Sequence, residues 1–206
     1  MTWHPEILPL RQVRVLAHIG PVLSRMGFYL VGGTAVALHL GHRRSLDFDW
    51  FTSEGFDPLH VAQELRDEGI AFNTEEIAIG TLHGMVNRVR VSLIRHNYPM
   101  LSKLRTSRGG MRIAGRADLA AMKLAAVAQR GAKKDFVDIY ALGQRSGSLK
   151  QMLRWYQKKY ALADFVHLLR SLTYFDDADP ERLPRMLPTE RLPLRRKFSR
   201  IRAPSS

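Results

Sequence analysis

The sequence predicts an α+β fold: a mixed sheet of about four or five strands flanked by helices in the N-terminal half, followed by a helical bundle. Three observations predict it. Before residue 105, short β-type runs alternate with segments of helical spacing. Gly80 and Gly84 punctuate a second group of such runs as a hairpin or meander would be punctuated. From Ala117 onward the composition turns to alanine, leucine and lysine with a sustained helical period. A chain of 206 residues with 45% apolar content can bury a sizeable core.

Taken in order, Pro9 to Arg25 carries an apolar stripe of Val13, Leu16, Ala17, Ile19 and Leu23, broken by Gly20-Pro21, and reads as the first helix. Phe28 to Val31 reads as a buried strand ending in Gly32-Gly33, after which Thr34 can cap a helix through Leu40 that Gly41 stops. Ser45 to Phe51 reads as a half-buried strand with Leu46, Phe48 and Trp50 on one face and Asp47 and Asp49 on the other. Pro58 suits the first turn of a helix to Glu68, stopped by Gly69. Ile77 to Ile79, Met85 to Val86 and Val89 to Ile94 supply the remaining strands. Arg105 to Arg116, with three glycines, reads as the connection to the helices Ala117–Arg130, Phe136–Leu142, Leu149–Tyr160 and Asp164–Leu172. After Asp176 five prolines interrupt every element. The division expected is 1–105, an α/β core; 106–178, a helical domain; and 179–206, a basic Pro/Arg-rich tail.

Composition narrows the function classes. Cysteine is absent, which removes disulfides, thiolate zinc sites and thiol nucleophiles, so any metal must be held by oxygen or imidazole ligands. No run of eighteen apolar residues occurs, and the Met1 to Arg11 start lacks a signal-peptide layout, so the expectation is a cytoplasmic protein without a membrane. A formal charge of +13 favours polyanionic partners, namely nucleic acid, nucleotides or an acidic protein. Part of that excess sits in Arg191, Arg195, Arg196, Lys197, Arg200 and Arg202 near the C-terminus, read as a flexible tail.

The stretch from Tyr29 to Phe51 carries the chemistry. Gly32 and Gly33 let the backbone approach a phosphate without a Cβ in the way, and the following helix start offers free N–H donors. Thr34 can cap that helix or touch phosphate. Two apart on a strand, Asp47 and Asp49 project from one face, a geometry suited to one or two Mg²⁺ (or Mn²⁺) ions, because two close anions need a cation or a shifted pKa. Between them and the glycines lie His39, read as solvated on a helix surface, and His42, Arg43 and Arg44, which meet either phosphate or solvent.

This arrangement resembles the signature of the DNA polymerase β-like nucleotidyltransferase superfamily: a Gly-Gly-Ser/Thr turn, then an Asp-x-Asp strand. A second stretch, from Asp118 to Leu142, is similar to the lysine–arginine–lysine–aspartate–aspartate motif of the AbiEii/AbiGii toxin-type nucleotidyltransferases. The resemblance implies an N-terminal nucleotidyltransferase fold, a nucleoside triphosphate (NTP) as substrate, Asp47 and Asp49 as metal ligands and catalytic residues, and Lys123 and Asp138 as catalytic residues beside them. On one continuous helix Lys123, Arg130 and Lys134 fall roughly along one stripe, as a clamp for a triphosphate or an RNA backbone would. Phosphate binding is thus assigned to Gly32, Gly33, Thr34, Arg44, Lys123, Arg130 and Lys134. Asp135 and Asp138 can orient those cations, or one can act as a base.

One departure stands out. Where the superfamily commonly brings a third carboxylate, the strand Val89–Ile94 carries Ser92. Either Asp118 or Glu76 completes the site, or metal binding and transfer are weakened. The function implied is transfer of a nucleotide to RNA (tRNA) or to a protein hydroxyl, as the toxin of a toxin–antitoxin or abortive-infection system with an antitoxin partner. The alternative is a weakly active or inactive nucleotide- or RNA-binding protein of the same fold acting through a partner. Trp50, Phe51, Trp155, Tyr156 and Tyr160 are read as packing residues.

Overall fold

The structure, a computed structural model, describes residues 3–187. After a short 3₁₀ turn (Pro5–Ile7), the first helix α1 spans Leu10–Arg25. Pro21 sits inside it without ending it. Strand β1 (Tyr29–Val31) leads directly into α2 (Gly32–Leu40), which Gly41 closes in the left-handed region, φ 64°, its N–H bonding the Ala37 carbonyl. Next come β2 (Phe48–Thr52) and α3 (Pro58–Asp67), the latter capped by the Asp57 carboxylate accepting from the Leu59 N–H. A meander follows, β3 (Phe72–Ala78), β4 (Thr81–Val86) and β5 (Val89–Arg95). Its second turn is the two-residue Asn87-Arg88, both at positive φ, the twist a tight hairpin needs.

Arg105–Arg116 does more than connect. Within it β6 (Arg105–Thr106) and β7 (Arg112–Ile113) form a hairpin that adds two strands to the sheet. Among the described residues the sheet therefore has seven strands, in the order β3-β4-β5-β2-β1-β7-β6. It is mixed: β1 runs antiparallel to β2, while β2 runs parallel to β5 and β1 parallel to β7. The helices α4 (Arg116–Arg130), α5 (Lys133–Arg145), α6 (Leu149–Tyr160) and α7 (Val166–Thr173) follow.

One core runs through both halves. Phe48 and Trp50 on β2, Leu82 on β4 and Leu93 on β5 are fully buried, as are Leu119, Leu124 and Leu142 on the helices. The helix α2 packs on β1 and β2 and also on α4 and α5, so the turn before it is gripped from both sides. Two expectations of exposure are overturned. Leu46, expected beside Phe48 and Trp50, is 54% exposed, because regular alternation begins only at Phe48. His39, expected in solvent, is 1% exposed: its Nε2 lies 2.9 Å from the Ala114 carbonyl and its ring lies against Trp3.

The basic C-terminal cluster lies outside the described residues. Within the segment 179–187, Met186 pairs with Arg43 as an isolated antiparallel bridge. The Arg44 N–H donates to the Arg185 carbonyl, and the Leu187 N–H to that of His42.

Candidate active site

Strands β2 and β5 set the site because they are parallel neighbours in register, Asp49 opposite Ser92 and Phe51 opposite Ile94. These residues line a cleft of about 770 Å³ between the sheet and the helices, together with Gly32, Gly33, Arg43, Asp47, Arg90, Lys123, Arg130 and Lys134. Both carboxylates of the Asp-Phe-Asp triplet thus face one cleft, and the three cations assigned to phosphate line it too. Asp47 is exposed just ahead of β2, whereas Asp49 is half-buried on it. Burial drives the Asp49 carboxyl above its ordinary range; Asp47 adds to the push, and Lys123, Lys134 and Arg130 oppose it.

The two glycines accommodate side chains of the site itself. Gly32 adopts φ +67°, and a Cβ there would overlap Asp49 Oδ2 and lie 2.9 Å from its Cγ. A Cβ on Gly33 would stand 2.5 Å from Arg43 Nη2 and 3.1 Å from Ser45 Oγ. The turn is therefore built around Asp49 on one side and Arg43 on the other. Thr34 has neither role expected of it: its hydroxyl is fully buried and donates to the Asp47 carbonyl at 2.5 Å, tying the entry of β2 to α2. Arg44 does not line the cleft, and its Nε is buried without a hydrogen-bond partner. The neighbouring Arg43 lines the cleft instead.

The lysine–arginine–lysine–aspartate–aspartate stretch is two helices, not one. Gly131, at φ 56°, closes α4, and α5 starts afresh at Lys133, so Lys134 reaches the cleft from a different helix than Lys123 and Arg130. Asp135 and Asp138, both fully buried, hold the cations in place. Asp138 accepts from Arg43 Nε at 2.6 Å, Arg43 Nη2 at 2.7 Å and His42 Nε2 at 2.8 Å, and pairs with Lys123 Nζ at 2.7 Å. Asp135 takes Lys123 Nζ at 2.8 Å and Arg130 Nε at 2.8 Å. Burial would raise the Asp138 carboxyl; Lys123 and Arg43 outweigh it and hold the group well below the usual carboxylate range. A group so held is a fixed anion. It orients Lys123 and Arg43, and it is not poised to accept a proton.

Neither alternative acid joins the Asp47 and Asp49 pair in the cleft. Asp118 is fully buried, accepting from the Leu101 and Ser102 N–H groups, the Ser102 hydroxyl and Lys159 Nζ. Glu76 is exposed on β3, opposite His83. No cluster of three or more His, Asp or Glu side chains suited to a metal ion forms among the described residues. The donor set at Asp49 is two carboxylates and the Ser92 hydroxyl, all oxygen, with one carboxyl raised by burial. That set fits a hard divalent cation, less tightly than three carboxylates would.

A strand-turn-helix carrying Gly-Gly, an Asp-x-Asp strand beside it and a parallel strand in register define the nucleotidyltransferase fold, and solved structures agree. The chain superposes on MenT4, a nucleotidyltransferase toxin from Mycobacterium tuberculosis, with a TM-score of 0.52 and 16% identity over 80% of this chain. It spans 64% of MenT4's length. It matches the antibiotic-resistance factor ANT(2'')-Ia with a TM-score of 0.51 and 12% identity, over 71% of this chain and 91% of that one. By sequence it belongs to the family of the uncharacterized protein aq_aa25 of Aquifex aeolicus (strain VF5), 37% identical over 158 residues, 75% of this chain and 76% of the relative. No protein-family model matches. No helix among the described residues is long and apolar enough to cross a membrane.

Proposed function

We propose that the chain is a divalent-metal-dependent nucleotidyltransferase that moves a nucleotide from an NTP to an RNA end, tRNA foremost, or to a protein hydroxyl, as the toxin of a toxin–antitoxin pair of the AbiEii/AbiGii type. The observation that carries this reading is the single cleft with Asp47 and Asp49 on its sheet side and Lys123, Arg130 and Lys134 on its helix side. The sheet side supplies the two carboxylates, and helices α4 and α5 supply Lys123, Arg130 and Lys134. Asp47 and Asp49 would hold Mg²⁺ or Mn²⁺, which when bound neutralises triphosphate charge and lowers the pKa of the attacking hydroxyl. Arg130 and Lys134 attract the phosphates, and the N-terminus of α2 presents backbone donors to them. In the transfer, the acceptor oxygen bonds the α-phosphorus, the α–β phosphoanhydride breaks, and pyrophosphate leaves. The hydroxyl proton passes to water at the exposed Asp47.

An RNA acceptor is favoured by a second basic hollow of about 420 Å³, lined by Arg11, Arg14, Asn87 and Arg88. Arg88 is two residues from Arg90 of the cleft, so a phosphate backbone leaving the cleft would meet cations. The fold likeness to MenT4 supports the toxin reading, and an antitoxin would mask this basic face.

The test is transfer of α-phosphate label from each NTP to total RNA with Mg²⁺, comparing wild type with the Asp47→Ala, Asp49→Ala variant. Label must vanish in the variant; undiminished transfer would refute the assignment. Ser92 opposite Asp49 favours one other reading, a nucleotide- or RNA-binding protein with a weakened metal site. In that case salt-sensitive RNA binding survives in the double variant and no label moves in either protein.

A further inference from the structure

The cleft has two unlike ends. From Asp49 and Ser92 the paired strands run on to Phe51 and Ile94 about 7 Å away, and the chain passes from the end of β5 to His96, about 13 Å along, whose N–H donates to the Thr52 carbonyl. Here the lining changes from charged groups to rings: Phe51, His96, Tyr98, Tyr156, Tyr160 and His167. They form a continuous wall. His96 stacks on Phe51 with centroids 4.6 Å apart and planes 20° apart, Tyr98 lies 4.9 Å from His96, and Tyr160 lies 4.7 Å from Tyr98. Tyr156 lies 5.1 Å from Tyr160. The rings brace one another and still line the open cleft, with Tyr98 45% exposed, so the wall is a preformed aromatic surface facing the space that the phosphate-binding groups also face.

We propose that this aromatic end seats the nucleobase of the bound nucleotide, a planar and uncharged heterocycle, while its phosphates lie toward Asp47, Asp49 and Lys134. The proposal rests on the nucleotidyltransferase reading for the phosphate end and adds the ligand group taken by the other end. The direction rests on the lining: the cations Arg130 and Lys134 take the phosphates, which leaves the uncharged rings from Phe51 to Tyr160 for the base. Ring faces of Phe51 and Tyr160 stack on any base. Burial and the nearby Lys159 push the His96 imidazole down to about 4, so at neutral pH it adds an uncharged ring.

The experiment titrates ATP, CTP, GTP and UTP, and separately inorganic triphosphate, into wild type and into His96→Leu, Tyr160→Leu and Tyr98→Ala variants. Tyr98, being exposed, tolerates truncation without disturbing the core. Each ring variant should weaken at least one nucleoside triphosphate about tenfold, the scale of one lost stacking contact, and leave inorganic triphosphate unaffected. Unchanged NTP affinity in all three variants would overturn the proposal. So would equal losses for inorganic triphosphate, which would mark the rings as structural. A second readout uses metal-free nucleosides, followed by saturation-transfer NMR. Signal that persists in the Asp47→Ala, Asp49→Ala variant and disappears in the ring variants supports the base site even if no transferase activity is found; no signal with any nucleoside on wild type refutes it.

Discussion

Replacing Asp138 by asparagine would remove the anion that His42, Arg43 and Lys123 share while keeping its shape, and would leave Lys123 with Asp135 alone. In the native chain the carboxylate, 0% exposed, faces donors at 2.6, 2.7, 2.7 and 2.8 Å. Asparagine has one acceptor oxygen and turns an NH₂ toward the remaining donors, so at least one buried cation loses its partner. Removing one member of a buried charged network costs about 3–5 kcal/mol. For a chain of this size each kcal/mol lowers Tm by about 2–4 °C, so a fall of roughly 6–20 °C is expected. The assay is urea unfolding and a thermal melt at pH 7 without nucleotide. Because folding depresses the Asp138 pKa, the unfolded state binds the proton more tightly. The stabilising contribution is therefore complete above the unfolded carboxylate value near 4 and is lost as pH falls through the lower folded value. Wild type and variant should converge in acid. A loss below about 1 kcal/mol, the size of a surface ion pair, would refute the argument that this network fixes the site.

Other substitutions test neighbouring parts. Gly32→Ala places a Cβ at φ +67° and onto the Asp49 carboxylate, so it should cost about 2 kcal/mol in urea unfolding and weaken divalent-cation binding measured by calorimetry. Ser92→Asp sets a third carboxylate opposite Asp49: the cation-free protein should lose up to about 1 kcal/mol to like-charge repulsion, while Mn²⁺ affinity by electron paramagnetic resonance should rise. Burial lowers His39 to about 4, below its unfolded value, so its contribution is complete above pH 6.5 and is lost as pH falls through 4. A His39→Gln variant should flatten that part of the stability–pH curve, by at most about 3 kcal/mol, and an unchanged curve would count against the buried neutral imidazole.

Most strands and helices were legible because local signals agreed with the final packing. Gly41 and Gly69 stop helices at positive φ, Pro58 follows an Asp cap, and Phe48 and Trp50 alternate into the core. The hairpin β6–β7 escaped because two-residue strands carry no alternation to read. The break at Gly131 was visible as a glycine, yet the spacing of Lys123, Arg130 and Lys134 fits one helix equally well, and only tertiary packing separates them. His39 was misplaced for a related reason. Its partner, the Ala114 carbonyl, lies seventy-five residues further on, and no local pattern announces it. The Asp-x-Asp pair and the cationic motif could be read as chemistry; that Arg43, and not Arg44, joins them depends on Asp138, ninety-five residues away.

That last separation bears on when the site comes into being. During synthesis the glycine turn and both aspartates leave the ribosome long before Asp138 exists to hold Arg43 and Lys123, and the backbone bridge to Met186 comes later still. Contacts between such distant positions close late, after local helices and hairpins have formed. An unfinished chain would therefore carry the carboxylates without the ordered cations opposite them. The cleft is in this way assembled only after its helical side has been made.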